Sequence, residues 1–183
     1  MKNVIIILVV AIVGSISFVG FNNKKIDSQI QSGELKILLE KNINYTGMPG
    51  PNDESYWGKS TFICNDGSVY LFEYDEYDDI DYPYESDLKK LTKELISNSK
   101  KIDKTLSESE IKKLQDSIEN IINGNEEILL KEKENKIEIL QPADATSKES
   151  LNIFSYDKNE KINIADYISP SIEEIIEITK KYF

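Results

Sequence analysis

Apolar positions along this chain follow three rhythms, and each predicts a different kind of element. The first is unbroken. Val4–Phe21 holds 18 residues without a charge, bounded by Lys2 and by Asn22-Asn23-Lys24-Lys25. At 1.5 Å per residue a helix of that length reaches about 27 Å, close to a bilayer hydrocarbon core of about 30 Å. The stretch therefore reads as an N-terminal transmembrane or signal helix. An uncleaved anchor is favoured, because Phe18, Val19 and Phe21 follow Ser15-Ile16-Ser17 where a cleavage site wants small residues. A cleaved signal and a buried core helix are the alternatives. A short N-terminus ahead of a first span usually stays inside, so the expected address is the cell membrane, single-pass with the domain outside the cytoplasm, or secreted if the signal is cleaved. The polar IDSQIQSG then makes residues 26–33 a short stalk, after the signal-anchor at 1–25, and leaves 34–183 as one extracytoplasmic domain.

The second rhythm is alternation, which predicts strands. Glu34–Tyr45 fits both a helical stripe and a strand bearing Ile37, Leu39, Ile43 and Tyr45, and the hairpin after it favours the strand. That hairpin is KSTFICN-DG-SVYLFEY, where Asp66-Gly67 suits a two-residue type I′ turn. Its register would pair Cys64 with Val69, Ile63 with Tyr70 and Phe62 with Leu71, with Phe62, Cys64, Val69 and Leu71 on one face. Glu126–Leu140 alternates in its second half, predicting one or two strands with Leu129, Ile137 and Ile139 inward. Pro142–Ser150 reads as a turn-rich loop. A second hairpin is expected from Leu151–Tyr156 and Lys161–Ala165 around Asp157–Glu160.

The third rhythm is helical. Leu88, Leu91 and Leu95 mark a helix over Ser86–Asn98, followed by the lysine-rich connection SKKIDK. Ser107–Ile122 carries a stripe of Ile111, Leu114, Ile118, Ile121 and Ile122, opened by a Ser107/Glu110 capping box and closed at Gly124. The last helix opens at Ser169-Pro170 or at Ser171 with Glu174, and carries Ile172, Ile175, Ile176, Thr179 and Tyr182. Tyr182-Phe183 is expected to dock the C-terminus on the sheet. Strands, helices, strands and a helix in that order predict an α+β fold, a mostly antiparallel sheet with two or three packed helices.

Composition then removes function classes. The chain has no histidine and no arginine, and 33 acidic residues stand against 22 lysines for a net charge of −11. Without histidine there is no Ser-His-Asp triad, no Cys-His pair and no imidazole ligand for zinc or iron. Without arginine, and with that net charge, nucleic acid is excluded as a partner. The single cysteine, Cys64, rules out an intramolecular disulfide and reads as a small buried apolar group. Lysine and isoleucine richness without arginine suggests an AT-rich bacterial genome.

Two segments carry candidate chemistry. Thr46–Trp57, TGMPGPNDESYW, has two glycines and two prolines and predicts a long ordered loop or a mobile tip; either Trp57 caps the core with Met48 following it, or the loop protrudes and Met48, Tyr56 and Trp57 are candidates for partner contact. Glu73–Asp87 packs eight carboxylates among tyrosines, which requires exposure or bound cations. Asp75, Glu76, Asp78, Asp79 and Asp81 are the candidate oxygen donors for calcium, and Tyr77, Tyr82 and Tyr84 candidate partner contacts. An EF-hand spacing is absent there. It is absent also after Asp157, where Ile162 stands at the position that requires glycine.

No cofactor is otherwise expected. The reading adopted is a non-catalytic binding module outside the cytoplasm, held to the membrane by the first helix and meeting a protein or cell-envelope partner. The alternatives are a calcium-stabilised structural or adhesion domain, and a carboxylate-dependent hydrolase with two acids about 5 to 9.5 Å apart.

Overall fold

The computed structural model of the protein describes residues 28–29, 32, 34–50, 53–75, 83, 85–131 and 145–183. The chain divides into two units, Met1–Leu35 and Lys36–Phe183. In the first, Ser28 and Gln29 lie in a helical turn and Ser32 N donates to Ser28 O at 2.9 Å. Among the described residues no helix is long and apolar enough to cross a membrane. Val4–Phe21, on which that expectation rests, lies outside them.

The second unit is α+β, with three helices. In chain order its elements are β1 (Ile37–Gly50), β2 (Asp53–Cys64), β3 (Ser68–Asp75), α1 (Leu88–Ser97), β4 (Lys100–Thr105), α2 (Glu108–Asn123), β5 (Leu129–Leu130), β6 (Ala145–Ser155), β7 (Glu160–Asn163), β8 (Tyr167–Ile168) and α3 (Pro170–Thr179). Six strands form one sheet in the order β4-β3-β2-β1-β6-β7, and β5 pairs with β8 apart from it. Every pairing is antiparallel. The strand reading of the ambiguous segment after Glu34 is correct, and β1 sits at the centre with β2 on one side and β6 on the other.

The Asp66-Gly67 turn falls one residue from the expected register. Ile63 lies opposite Val69, Phe62 opposite Tyr70 and Thr61 opposite Leu71, so Asn65, Asp66 and Gly67 form a three-residue loop. A type I′ turn needs positive φ at both central residues, and here Gly67 has φ +80 while Asp66 is not positive. Asp66 instead accepts from Ser68 N at 2.9 Å and holds the Ser68 hydroxyl in a short hydrogen bond. This is the loop class in which one left-handed glycine follows a type I turn. Glycine is required twice over, since a Cβ on Gly67 would sit 2.8 Å from Leu106 O. Strand side chains alternate, so the slip regroups the faces: Ile63, Val69 and Leu71 share one, and Phe62, Cys64, Tyr70 and Phe72 share the other.

Other local expectations yield to strand pairing. The predicted loop over Thr46–Trp57 is mostly strand, because β1 runs to Gly50 and β2 begins at Asp53. Pro49 lies within a register irregularity between Gly47 and Gly50, the kind of site where a missing N–H is tolerated. The SKKIDK connection contributes to β4, an edge strand whose exposed lysines suit an edge. Residues 145–150 of the predicted turn-rich loop belong to β6, which pairs with β1 as far as Gly47 opposite Ala145. Leu129, expected inward, is 56% exposed; Ile137 and Ile139 lie outside the described residues. The second hairpin forms as expected, with Ile153 opposite Ile162.

Helices close both faces of the sheet. On the first face Leu39, Ile63, Val69 and Ile153 pack in one cluster with Leu114, Ile118 and Ile121 of α2 and Ile172 and Ile175 of α3. Tyr182 joins the same cluster, so the C-terminus docks as its aromatic residues predict. On the second face α1 buries Leu88, Leu91, Leu95 and Ile96. Its Thr92 hydroxyl meets Tyr156 Oη at 2.6 Å, and that oxygen accepts from Ile37 N at 2.8 Å. Burial pushes the Tyr156 phenol up to about 12. Cys64 is buried and free, and burial raises its thiol far above the ordinary range, which leaves it inert.

The capping box on α2 also ties the end of the chain. Glu110 accepts from Ser107 N at 2.9 Å, and Lys181 Nζ reaches it at 2.5 Å. The Lys181 and Ser107 hydrogen bonds lower its carboxyl from about 4.5 to about 2. A depressed carboxyl contributes stability that is present above its unfolded value and lost as pH falls through its folded value. The midpoint of denaturant unfolding is therefore expected to drop between about pH 4.5 and pH 2, and Glu110→Gln should flatten that part of the profile. An unchanged profile in the variant would show that Lys181 and the cap do not act through this carboxylate.

Candidate functional site

The two segments that the sequence singles out meet at one end of the sheet. Met48 lies in β1 and Tyr56 and Trp57 in β2, with Tyr56 opposite Thr46 and Trp57 opposite Tyr45. On its other side Trp57 is opposite Asp75, the last residue of β3. Glu76, Tyr77, Asp78, Asp79, Asp81, Tyr82 and Tyr84 lie outside the described residues. Among the described residues no group of three or more cysteine, aspartate or glutamate side chains is placed to hold a metal ion. Tyr74, grouped by sequence with the exposed acidic segment, is buried instead.

Tyr74 belongs to a polar network that the sequence reading missed. On the second sheet face Glu40 is fully buried. Its Oε1 accepts from Ser60 Oγ at 2.8 Å, and its Oε2 accepts from Asn152 Nδ2 at 3.0 Å and pairs with Lys161 Nζ at 2.6 Å. Asn42 Nδ2 donates to Ser60 Oγ at 2.6 Å and to Tyr74 Oη at 3.1 Å, and Tyr74 makes a short hydrogen bond to Asn44. A Cβ on Gly58 would lie 2.4 Å from the Tyr74 ring, so glycine makes room for this phenol. The network spans β1, β2, β3, β6 and β7. With its carboxylate inaccessible and both oxygens occupied, it locks strands together.

The accessible site lies on the first face. A cleft of about 400 Å³ opens between β1, β6, the segment after β7 and the end of α3, within the size range of small-molecule sites. Leu151, Ile164, Ile176 and Phe183 supply its apolar lining, and Lys41, Lys131 and Lys180 its cations against one carboxylate, Glu149. Two of those cations have exposed partners: Lys41 pairs with Glu149 at 3.3 Å and Lys180 with Glu177 at 2.6 Å. Lys131 Nζ donates to a neutral group, Ala165 O, at 2.5 Å.

An apolar strip adjoins the cleft. Ile128, Leu129, Leu130, Tyr167, Ile168 and Ile176 are the exposed large hydrophobic residues among those described, with Leu130 at 69%. Leu129 pairs with Ile168 and Leu130 with Tyr167 in the β5–β8 ladder, so the two apolar pairs face opposite sides of it. Sequence offered a signal for this strip: an adjacent Leu-Leu between Glu126-Glu127 and Lys131 can hide only one side of a two-residue strand. It offered less for the cleft, whose lysines come from three separated elements. No family model matches this chain, and no curated protein or solved structure matches it either.

Proposed function

We propose that this protein is a non-catalytic binding module displayed outside the cytoplasm, held at the membrane by Val4–Phe21 as a single-pass anchor, or secreted if that segment is cleaved. Its binding surface is the lysine-rimmed cleft together with the β5–β8 strip, and its partner is a component of the cell envelope. The observation that carries the reading is the set of exposed apolar side chains on the β5–β8 ladder, which leads directly into Lys131 of the cleft, together with the exposed Ile176 in its lining. Exposed apolar patches of this kind commonly mark interaction surfaces. The acidic remainder of the surface, at a net charge of −11, repels polyanions and leaves this site as the distinctive feature.

The test is photo-crosslinking on intact cells producing the full chain. A crosslinker at Leu130 is expected to trap an envelope component that one at Lys112, on the solvent face of α2, does not. Ile176→Asp should abolish the adduct by placing a negative charge in the apolar lining of the cleft. Identical adducts at both positions, or none at Leu130, would overturn the reading.

A further inference from the structure

We infer that the cleft takes a ligand with an aliphatic body and one anionic head group, such as a carboxylate, with Lys131 as the residue that recognises the head. This deepens the binding-module reading and rests on it.

Charge and apolar lining within one cavity favour this ligand class. Over the chain acids outnumber lysines 33 to 22, yet around this cleft three lysines stand against one glutamate. The lining below them is aliphatic and aromatic, from Leu151, Ile164, Ile176 and Phe183. A wholly apolar ligand would leave the ammonium groups unused, and a small inorganic anion would leave the apolar lining wet.

The lysines are also free to exchange partners. Lys180 and Glu177 are 63% and 72% exposed, and the Lys41–Glu149 pair is likewise open to solvent at Glu149. Exposed pairs of this type hold weakly, so a ligand carboxylate displaces them at small cost. Lys131 differs in that its partner among the described residues is a neutral group, the Ala165 carbonyl, and both residues line the cleft. An anion beside Lys131 gains a charge-assisted hydrogen bond without breaking an ion pair.

The experiment uses the full chain in nanodiscs, methyl-labelled at isoleucine and leucine, titrated with octanoate and separately with octanamide. The two probes share a chain length and differ in charge. Octanoate is expected to shift the Leu151, Ile164 and Ile176 methyl signals saturably, at least about tenfold more tightly than octanamide, as one charge-assisted hydrogen bond implies. Lys131→Gln should bring the two probes to the same affinity while leaving the methyl spectrum of the free protein in place. Equal binding of both probes by the unaltered protein would overturn the anionic class and leave an apolar cleft. Absence of any cleft shift, while the Leu130 crosslink persists, would overturn this inference and spare the binding module. Loss of both would remove the reading itself.

Discussion

Replacing Lys161 with methionine is expected to destabilise the domain by about 3 kcal/mol, the low end of the cost of stranding a buried charge, because the ammonium removed is partly exposed. The carboxylate left behind, Glu40, is completely inaccessible. Ser60 and Asn152, which also donate to it, are neutral, and neutral donors do not offset the loss of hydration of a charge. The converse change is milder. Glu40→Gln leaves Lys161, whose side chain is 28% exposed, able to turn toward water, so a loss of about 1–3 kcal/mol is expected from the disturbed hydrogen bonds. Combining the two changes should recover part of the sum, because each single change strands a group that the other removes. Denaturant midpoints at constant slope measure all three. A Lys161→Met cost below about 1 kcal/mol would class the pair with ordinary surface ion pairs.

Phe62→Ala is expected to cost about 3–5 kcal/mol, through lost burial and the cavity left behind. Phe62 is fully buried, in register with Glu40 on one side and Tyr70 on the other. A void there also sits beside the polar network, so the cost should exceed that of Thr61→Ala, one position along β2 on the opposite face and only partly buried. The pair of variants tests the register as well as the packing. Equal, small costs at both positions would mean that β2 does not present Phe62 to a closed interior.

The difference between Phe62 and Thr61 illustrates which information is local. Asp66-Gly67 announces a hairpin from sequence alone, yet its register depends on whether the loop has two residues or three. That was settled by Asp66 bonding to Ser68 and by the room for Gly67 beneath Leu106 and Ile111, contacts made partly with residues about 40 positions away. Likewise Pro49 and the glycines of TGMPG argue against a strand locally, while β2 pairs with that segment across an irregularity that spares the proline its hydrogen bond.

Features that rest on short-range chemistry were legible in the chain without its fold. The α2 capping box, the left-handed Gly124, the Ser169-Pro170 start of α3, the helical stripes and the Ile153–Ile162 hairpin all follow from neighbours a few residues apart. So do the exclusions, since a chain without histidine or arginine cannot borrow their chemistry from any fold. The tertiary structure alone decided what requires distant residues to meet. Glu40 looks like one acid among 33 until β1 sets it opposite Asn152, 112 positions on, and beside Lys161. Lys41, Lys131 and Lys180 form a rim only because β1, the end of β5 and the end of α3 surround one cleft. Periodicity reports which side of an element is apolar, but it carries no record of which element lies across from it, and both the buried lock and the open cleft depend on that second fact.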